Sequence, residues 1–201
     1  MFTGIVLSTG EIISIEPQKD GLRLCIESAF IAGRAKLGSS VSVSGVCLTV
    51  SKKEGKKLWF DVMEETVTKT TLAKKRMGDR VNLEPSLRLG DEVGGHFVYG
   101  HTDTVGEIKE IITAKAGSRP YGGTKLRNSR LLRTGLTKKF MKYIAAQGSV
   151  TIDGVSLTVA RVGKSDFTVS LVEYTLEHTT LKFLKKGDRV NVECDMIAKY
   201  V

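Results

Sequence analysis

The chain is short of several things. Cysteine occurs only three times, as Cys25, Cys47 and Cys194, and an odd number at such wide spacings excludes a disulfide framework and suits a reducing compartment. Proline is equally scarce, with three residues, so nothing reads as a Pro-rich disordered tract. No run approaches the ~20 apolar residues of a membrane span. The opening MFTGIVLSTGEI has neither the basic n-region nor the long apolar core of a signal peptide, so a cytoplasmic protein without a membrane partner is expected. C-x-x-C, H-E-x-x-H, G-x-G-x-x-G and P-loop patterns are all missing. His96 and His101, five apart in an extended-looking segment, would leave opposite faces of a strand. No metal, nucleotide or other cofactor is expected.

Charge is the one imbalance. A net charge of +9 would suit a nucleic-acid partner, because a basic field attracts phosphate backbones. The excess is spread over both halves, however, from Lys52, Lys53, Lys56 and Lys57 to Lys185 and Lys186, without interleaved aromatics to stack on bases. No nucleic-acid partner is therefore expected, and a nucleic-acid-binding barrel is the weakest of the functional readings.

The chain repeats itself once, and the repeat decides the organisation. Residues 1–15 lie over 97–111 at an offset of 96, with Gly4 on Gly100 and Gly10-Glu11-Ile12 on Gly106-Glu107-Ile108. Residues 40–50, SVSVSGVCLTV, lie over 149–159, SVTIDGVSLTV, at an offset of 109, with seven of eleven positions identical. The offset of 109 continues through Thr70-Thr71-Leu72 over Thr179-Thr180-Leu181 and GDRVNLE over GDRVNVE. The change of offset places one insertion of thirteen residues between about Ile111 and Gly148.

Each copy reads as short strands. SVSVSGVCLTV, LRLCIES, KLWFDVM and the closing RVNLE and RVNVE are rich in β-branched and alternating apolar residues. Six such antiparallel strands per copy predict an all-β protein of two tandem Greek-key β-barrels with short helices, since closure removes exposed edges. The N-terminal barrel is expected over residues 1–96, the C-terminal barrel over 97–195 and a short tail over 196–201, with 84–95 as a linker. The best helix candidate is TGLTKKFMKYIAAQG, where Leu136, Phe140, Tyr143 and Ile144 form an apolar stripe; ESAFIAGRAKLG in the first copy is weaker.

Positions where the copies differ carry the chemistry. Cys47 in GVCLTV stands where the second copy has Ser156, and His101 stands where the first has Ile5. A lone strand cysteine is ordinarily a small core hydrophobe, but a thiol and an imidazole can add to an electrophilic ring or move protons near neutral pH. One is expected in each of two related pockets. Cys25 and Cys194 are read as structural.

The opening MFTGIV, the SGVCLTV and DGVSLTV strands, GGHFVYGH, EETVTKTTL, VEYTLEHTTL and the GDRVN turns together closely resemble the riboflavin synthase family, over nearly the whole chain. The resemblance implies a cofactor-independent transferase acting on two molecules of 6,7-dimethyl-8-ribityllumazine. It also implies a homotrimer, association with lumazine synthase, and active sites between barrels of neighbouring subunits. It implies Cys47 and His101 as catalytic residues. A first site would be lined by Cys47, Leu48 and Thr49, then by Asp61, Val62, Met63, Glu64, Glu65 and Thr66. A second would be lined by Gly100, His101 and Thr102, by Ser156, Leu157 and Thr158, and by Ser170, Leu171, Val172, Glu173, Tyr174 and Thr175. Gly4, Ile5 and Val6 would lie near the shared interface, and Ser40 and Asp195 would also contribute. Gln147 stands where many relatives carry Lys, and the tail 196–201 would be the start of a trimerisation helix. A non-catalytic lumazine- or flavin-binding antenna protein is the alternative within the same fold.

Overall fold

A computed structural model describes residues 1–114 and 129–201. Within them the first repeat forms β1 (Ser8–Gln18), β2 (Gly21–Glu27), β3 (Ser40–Val43), β4 (Val46–Glu54), β5 (Lys57–Met63) and β6 (Arg80–Pro85). The second forms β7 (Thr104–Ala114), β8 (Ser129–Gly135), β9 (Ser149–Ile152), β10 (Val155–Val162), β11 (Asp166–Leu171) and β12 (Arg189–Cys194). Each set closes into an antiparallel barrel, and the two have the same cyclic order, β1-β2-β5-β4-β3-β6 and β7-β8-β11-β10-β9-β12. The expected pair of six-stranded barrels is what the chain forms.

Strand periodicity explains which side chains fill them. In β5, Leu58, Phe60 and Val62 are buried while Lys57, Asp61 and Met63 are exposed, as a period of two requires. At the matching positions β11 has Phe167 and Val169, both fully buried. The aromatic ring has moved two residues along the strand, so the core keeps its bulk while its shape changes. Bulges recur too, between Ile12 and Ser14 in β1 and between Ile108 and Glu110 in β7.

Two sequence expectations need correction. The run SVSVSGVCLTV is two strands folded on each other, since Val43 pairs with Val46 and Ser44 and Gly45 both have positive φ, 46° and 83°. Asp153-Gly154 does the same between β9 and β10, at 45° and 77°, and such dipeptides turn two-residue hairpins whose central residues are both left-handed. The long helix expected near residues 134–148 shrinks to α3 (Lys138–Met141), because Thr134 and Gly135 pair with both β7 and β11. Its apolar stripe still reaches the core, with Leu136, Met141 and Ile144 buried. The weaker candidate gives the longer helix, α1 (Ala29–Arg34), capped by the Ser28 side chain. The remaining helices are α2 (Glu64–Lys69), α4 (Glu173–His178) and α5 (Met196–Tyr200). The inserted segment lies largely outside the described residues.

The barrels are bolted together by two buried asparagines. Asn82 in β6 donates to the Asp153 carbonyl (2.8 Å) and accepts from the Thr180 amide (2.7 Å), both in the other barrel. Asn191 in β12 reciprocates, donating to the Ser44 carbonyl (2.8 Å) and accepting from the Thr71 amide (2.8 Å). A buried amide left unpaired would cost ~1–3 kcal/mol, so this exchange fixes one orientation of barrel on barrel. Gly45 and Gly154 meet at its centre, where a Cβ on Gly45 would lie 2.7 Å from the Gly154 nitrogen.

Candidate functional site

Both barrels carry an opening at the same place. Pairing between β4 and β5 runs from Glu54–Lys57 up to Val50–Phe60, so Cys47, Leu48, Thr49, Asp61, Val62 and Met63 lie beyond the end of that ladder. The opening in the second barrel is equivalent, because β10 and β11 pair from Val162–Phe167 up to Val159–Val169. Beyond it lie Ser156, Leu157, Thr158, Ser170, Leu171 and Val172. Main-chain N–H and C=O groups on facing strands that have no partner across the gap can bind a flat amide-edged ring, as a further strand would. Leu48, Leu157, Val62 and Leu171 are buried in the barrel cores, so they can offer only main-chain atoms. Cys47 and Ser156 are half-buried and Thr49 and Thr158 exposed, leaving thiol and hydroxyls at the mouth.

Each opening is completed by the other copy of the repeat. Residues preceding β1 and β7 pair with each other, the Phe2 amide donating to the Val98 carbonyl at 2.6 Å and the Val98 amide to Phe2 at 3.0 Å, and then they cross over. The Cys47 amide donates to the Gly100 carbonyl (2.8 Å), and the Ser156 amide donates to the Gly4 carbonyl (2.8 Å). Gly4 and Gly100 have φ of 76° and 75°. A Cβ on Gly100 would lie 2.8 Å from the Cys47 Cβ, and one on Gly4 would lie 2.6 Å from the Ser156 Cβ. Only glycine allows both this conformation and this approach.

The crossing redistributes the expected residues. Gly100 belongs beside Cys47, and His101 follows it, exposed and stacked on Tyr99 with ring centroids 5.8 Å apart. Thr102 is held there by its hydroxyl on the Gly45 carbonyl (3.3 Å). Gly4, Ile5 and Val6 run to the second barrel, whose core Val6 packs against. The segment that carries His101, expected at the pocket opposite Cys47, thus runs past Cys47 itself.

The second opening has a histidine of its own, which sequence reasoning considered only as a metal ligand. His96 Nδ1 lies 2.8 Å from Ser156 Oγ. Burial lowers the imidazole pKa, and the nearby Asp195 carboxylate partly opposes that shift. Burial thus favours the neutral form of His96, which is hydrogen-bonded to a hydroxyl. Asp195 also caps α5 through the Ile197 amide (3.0 Å). Among the described residues no cluster of three or more His, Cys, Asp or Glu could hold a metal ion.

Other expected site residues lie around the rims. Ser40 pairs with Thr49 across β3 and β4. Asp61 is held by Arg23, Nε to Oδ1 2.6 Å, and that hydrogen bond keeps its carboxyl below the usual range. Glu64 and Glu65 open α2, where Glu65 is paired with Lys69, and the Thr66 carbonyl accepts from Thr70 (2.7 Å). Ser170 is half-buried opposite Leu131. Glu173, Tyr174 and Thr175 lie in α4; Tyr174 stacks on His178 with centroids 4.0 Å apart. Gln147 is exposed with φ of 65°, its amide on the Val159 carbonyl at 2.8 Å. A cleft of about 460 Å³ bounded by Thr3, Ile5, Leu7 and Arg88 and one of about 510 Å³ bounded by Lys75, Asp153 and Phe183 are not lined by Cys47, His101, His96 or Ser156.

Duplicated barrels with paired openings are the class of a tandem lumazine-binding protein, and the chain matches the family described as "Lumazine binding domain" twice, over residues 3–86 and 99–195. It is 40% identical over 205 residues to the riboflavin synthase of Brucella abortus, covering 100% of this chain and 96% of that protein. It is 37% identical over 201 residues to that of Bacillus subtilis, covering 100% and 88%. Among solved structures it is similar to LumP complexed with 6,7-dimethyl-8-(1'-D-ribityl) lumazine, with a TM-score of 0.81, 25% identity and coverage of 96% of this chain and 99% of that one. The chain belongs to the riboflavin synthase family.

Proposed function

We propose that this protein makes riboflavin from two molecules of 6,7-dimethyl-8-ribityllumazine, one giving four carbons to the other and leaving as 5-amino-6-ribitylamino-pyrimidinedione. The two products together contain all the atoms of the two substrates, so the reaction needs no external oxidant. The structural observation that carries the reading is the pair of crossed openings with different chemistry, Cys47 against the Gly100–Thr102 segment in one and Ser156 with His96 in the other. Identical substrates must behave differently, one accepting a nucleophile while its twin loses a proton from the C7 methyl, and unlike surroundings supply that difference. His96 acting through Ser156 suits proton transfer. Cys47 and His101 suit addition to the ring and its reversal. Strand amides and the Thr49 and Thr158 hydroxyls suit the pyrimidine edge and ribityl chain.

A homotrimer whose sites lie between neighbouring subunits belongs to this reading. Ile5, Leu7, Val93 and Phe97 are exposed near the crossing segments, apolar area available for such a contact. Ile197 and Tyr200 are exposed on α5, in keeping with a tail that begins a trimerisation helix. Division into barrels at 1–96 and 97–195, a cytoplasmic setting and association with lumazine synthase complete the reading. The antenna alternative keeps the fold without the reaction, and the presence of both Cys47 and His101 weighs against it. Mixing the purified protein with 6,7-dimethyl-8-ribityllumazine alone decides between them: riboflavin absorbance should appear without additives, and binding without turnover would favour the antenna.

A further inference from the structure

Two buried carboxylates occupy equivalent places in the barrels, Glu84 at the end of β6 and Glu193 in β12. They are 5% and 3% exposed, and no salt bridge accounts for either among the described residues. Each lies in a concavity of successive amides created by a left-handed glycine. Glu193 accepts from the Tyr99 amide (2.8 Å) and the Gly100 amide (2.9 Å). Glu84 accepts from the Thr3 amide (2.7 Å) and hydroxyl (2.8 Å) and from the Gly4 amide (3.1 Å). The residues so held are the ones that cross: Gly100 offers its carbonyl, in the next peptide unit, to the Cys47 amide, and Gly4 offers its carbonyl in the same way to the Ser156 amide.

We propose that Glu193 is a positioning residue for the Cys47–His101 opening and Glu84 its counterpart for the Ser156–His96 opening. The role rests on the riboflavin synthase reading only in what the openings are for. Each carboxylate belongs to one barrel and holds the segment that meets the other, Glu193 the one on Cys47 and Glu84 the one on Ser156. A charged acceptor on two adjacent N–H groups holds the chain up to Gly100 more tightly than a neutral one, and so holds the Gly100 carbonyl on the Cys47 amide. The hydrogen bonds of each carboxylate end on the crossing segment, so its influence passes through Gly100 or Gly4.

The test separates the two carboxylates without substrate. Cys25 and Cys194 are 2% and 1% exposed, so alkylation of the native protein by iodoacetamide, mapped by peptide mass, reads Cys47. Glu193→Gln, which keeps the shape but turns an N–H toward the crossing amides, is expected to raise that alkylation rate about fivefold or more. Glu84→Gln should leave it within about twofold, because its peptide serves Ser156 instead. Turnover should fall about tenfold or more in both, with KM moving less than about threefold. Glu193→Asp, one methylene short but still charged, should fall between wild type and Glu193→Gln. Equal alkylation changes in the two Gln variants, or none in either, would overturn the proposal. So would failure of both Glu193 variants to fold, since the carboxylate would then serve the fold alone. If wild-type protein makes no riboflavin, the activity reading fails while the alkylation comparison still decides the clamp.

Discussion

Replacing Asp153 by Asn should stabilise the protein at neutral pH and leave it unchanged in acid. Asp153 turns the β9–β10 hairpin at the junction of the barrels, 6% exposed, with Oδ1 accepting from the Asn191 amide at 2.8 Å. Burial raises its pKa from 3.8 to about 6, the nearby Lys75 opposing that shift and Asp188 adding to it. A carboxyl whose pKa is raised on folding binds its proton more tightly in the native state, so stability is highest below the unfolded pKa and falls as pH rises towards the folded one. The loss is complete above about pH 7. The distance from 3.8 to about 6, at ~1.36 kcal/mol for each pH unit, makes ~3 kcal/mol of burial penalty at neutral pH. Asn keeps an acceptor for the Asn191 amide, tolerates the left-handed φ of 45°, and carries no charge to desolvate. Denaturant unfolding of both proteins at pH 7 and pH 4 should show a gap of up to ~3 kcal/mol that closes in acid. A gap of the same size at both pH values, or a variant weaker at pH 7, would refute the argument.

Three further outcomes are expected. Cys47→Ser and His101→Ile each copy the residue of the other repeat, so the fold should survive while riboflavin formation falls by ~10-fold or more, about 1.4 kcal/mol of transition-state stabilisation; near wild-type rates in both, with Ser156→Ala inactive, would place the chemistry on the hydroxyl instead. Gly100→Ala forces a methyl against the Cys47 Cβ at positive φ and should lower turnover ~10-fold or more with a loss of at least ~1 kcal/mol in stability, both read on the same preparation by steady-state rates and melting. Asn191→Ala strands the Thr71 amide and Ser44 carbonyl of the other barrel and should cost about 2–4 kcal/mol in denaturant unfolding, whereas a loss under ~1 kcal/mol would mean water replaces the side chain.

Repetition, strand periodicity and the divergence of Cys47 from Ser156 and of His101 from Ile5 could all be read along the chain, because each is a comparison of residues at fixed spacing. Those comparisons determined two barrels of like topology and singled out a thiol and an imidazole as candidates for their chemistry. They also contained signals that a strand reading passes over: in RVNLE and RVNVE the polar Asn and Glu occupy what a half-buried strand would turn to water, yet Asn82, Glu84, Asn191 and Glu193 are buried. Ser44-Gly45 and Asp153-Gly154 likewise mark hairpins inside what looks like one apolar run. Only the tertiary structure decided which groups share an opening. The segments before β1 and β7 pair with each other and cross to opposite barrels, and partners such as Gly100 and Cys47, or His96 and Ser156, are far apart in sequence with no periodic relation. Spacing specifies what a strand presents to its two faces, but where a crossing segment lands depends on how two closed barrels pack, and that is settled by the buried asparagines and carboxylates at their junction.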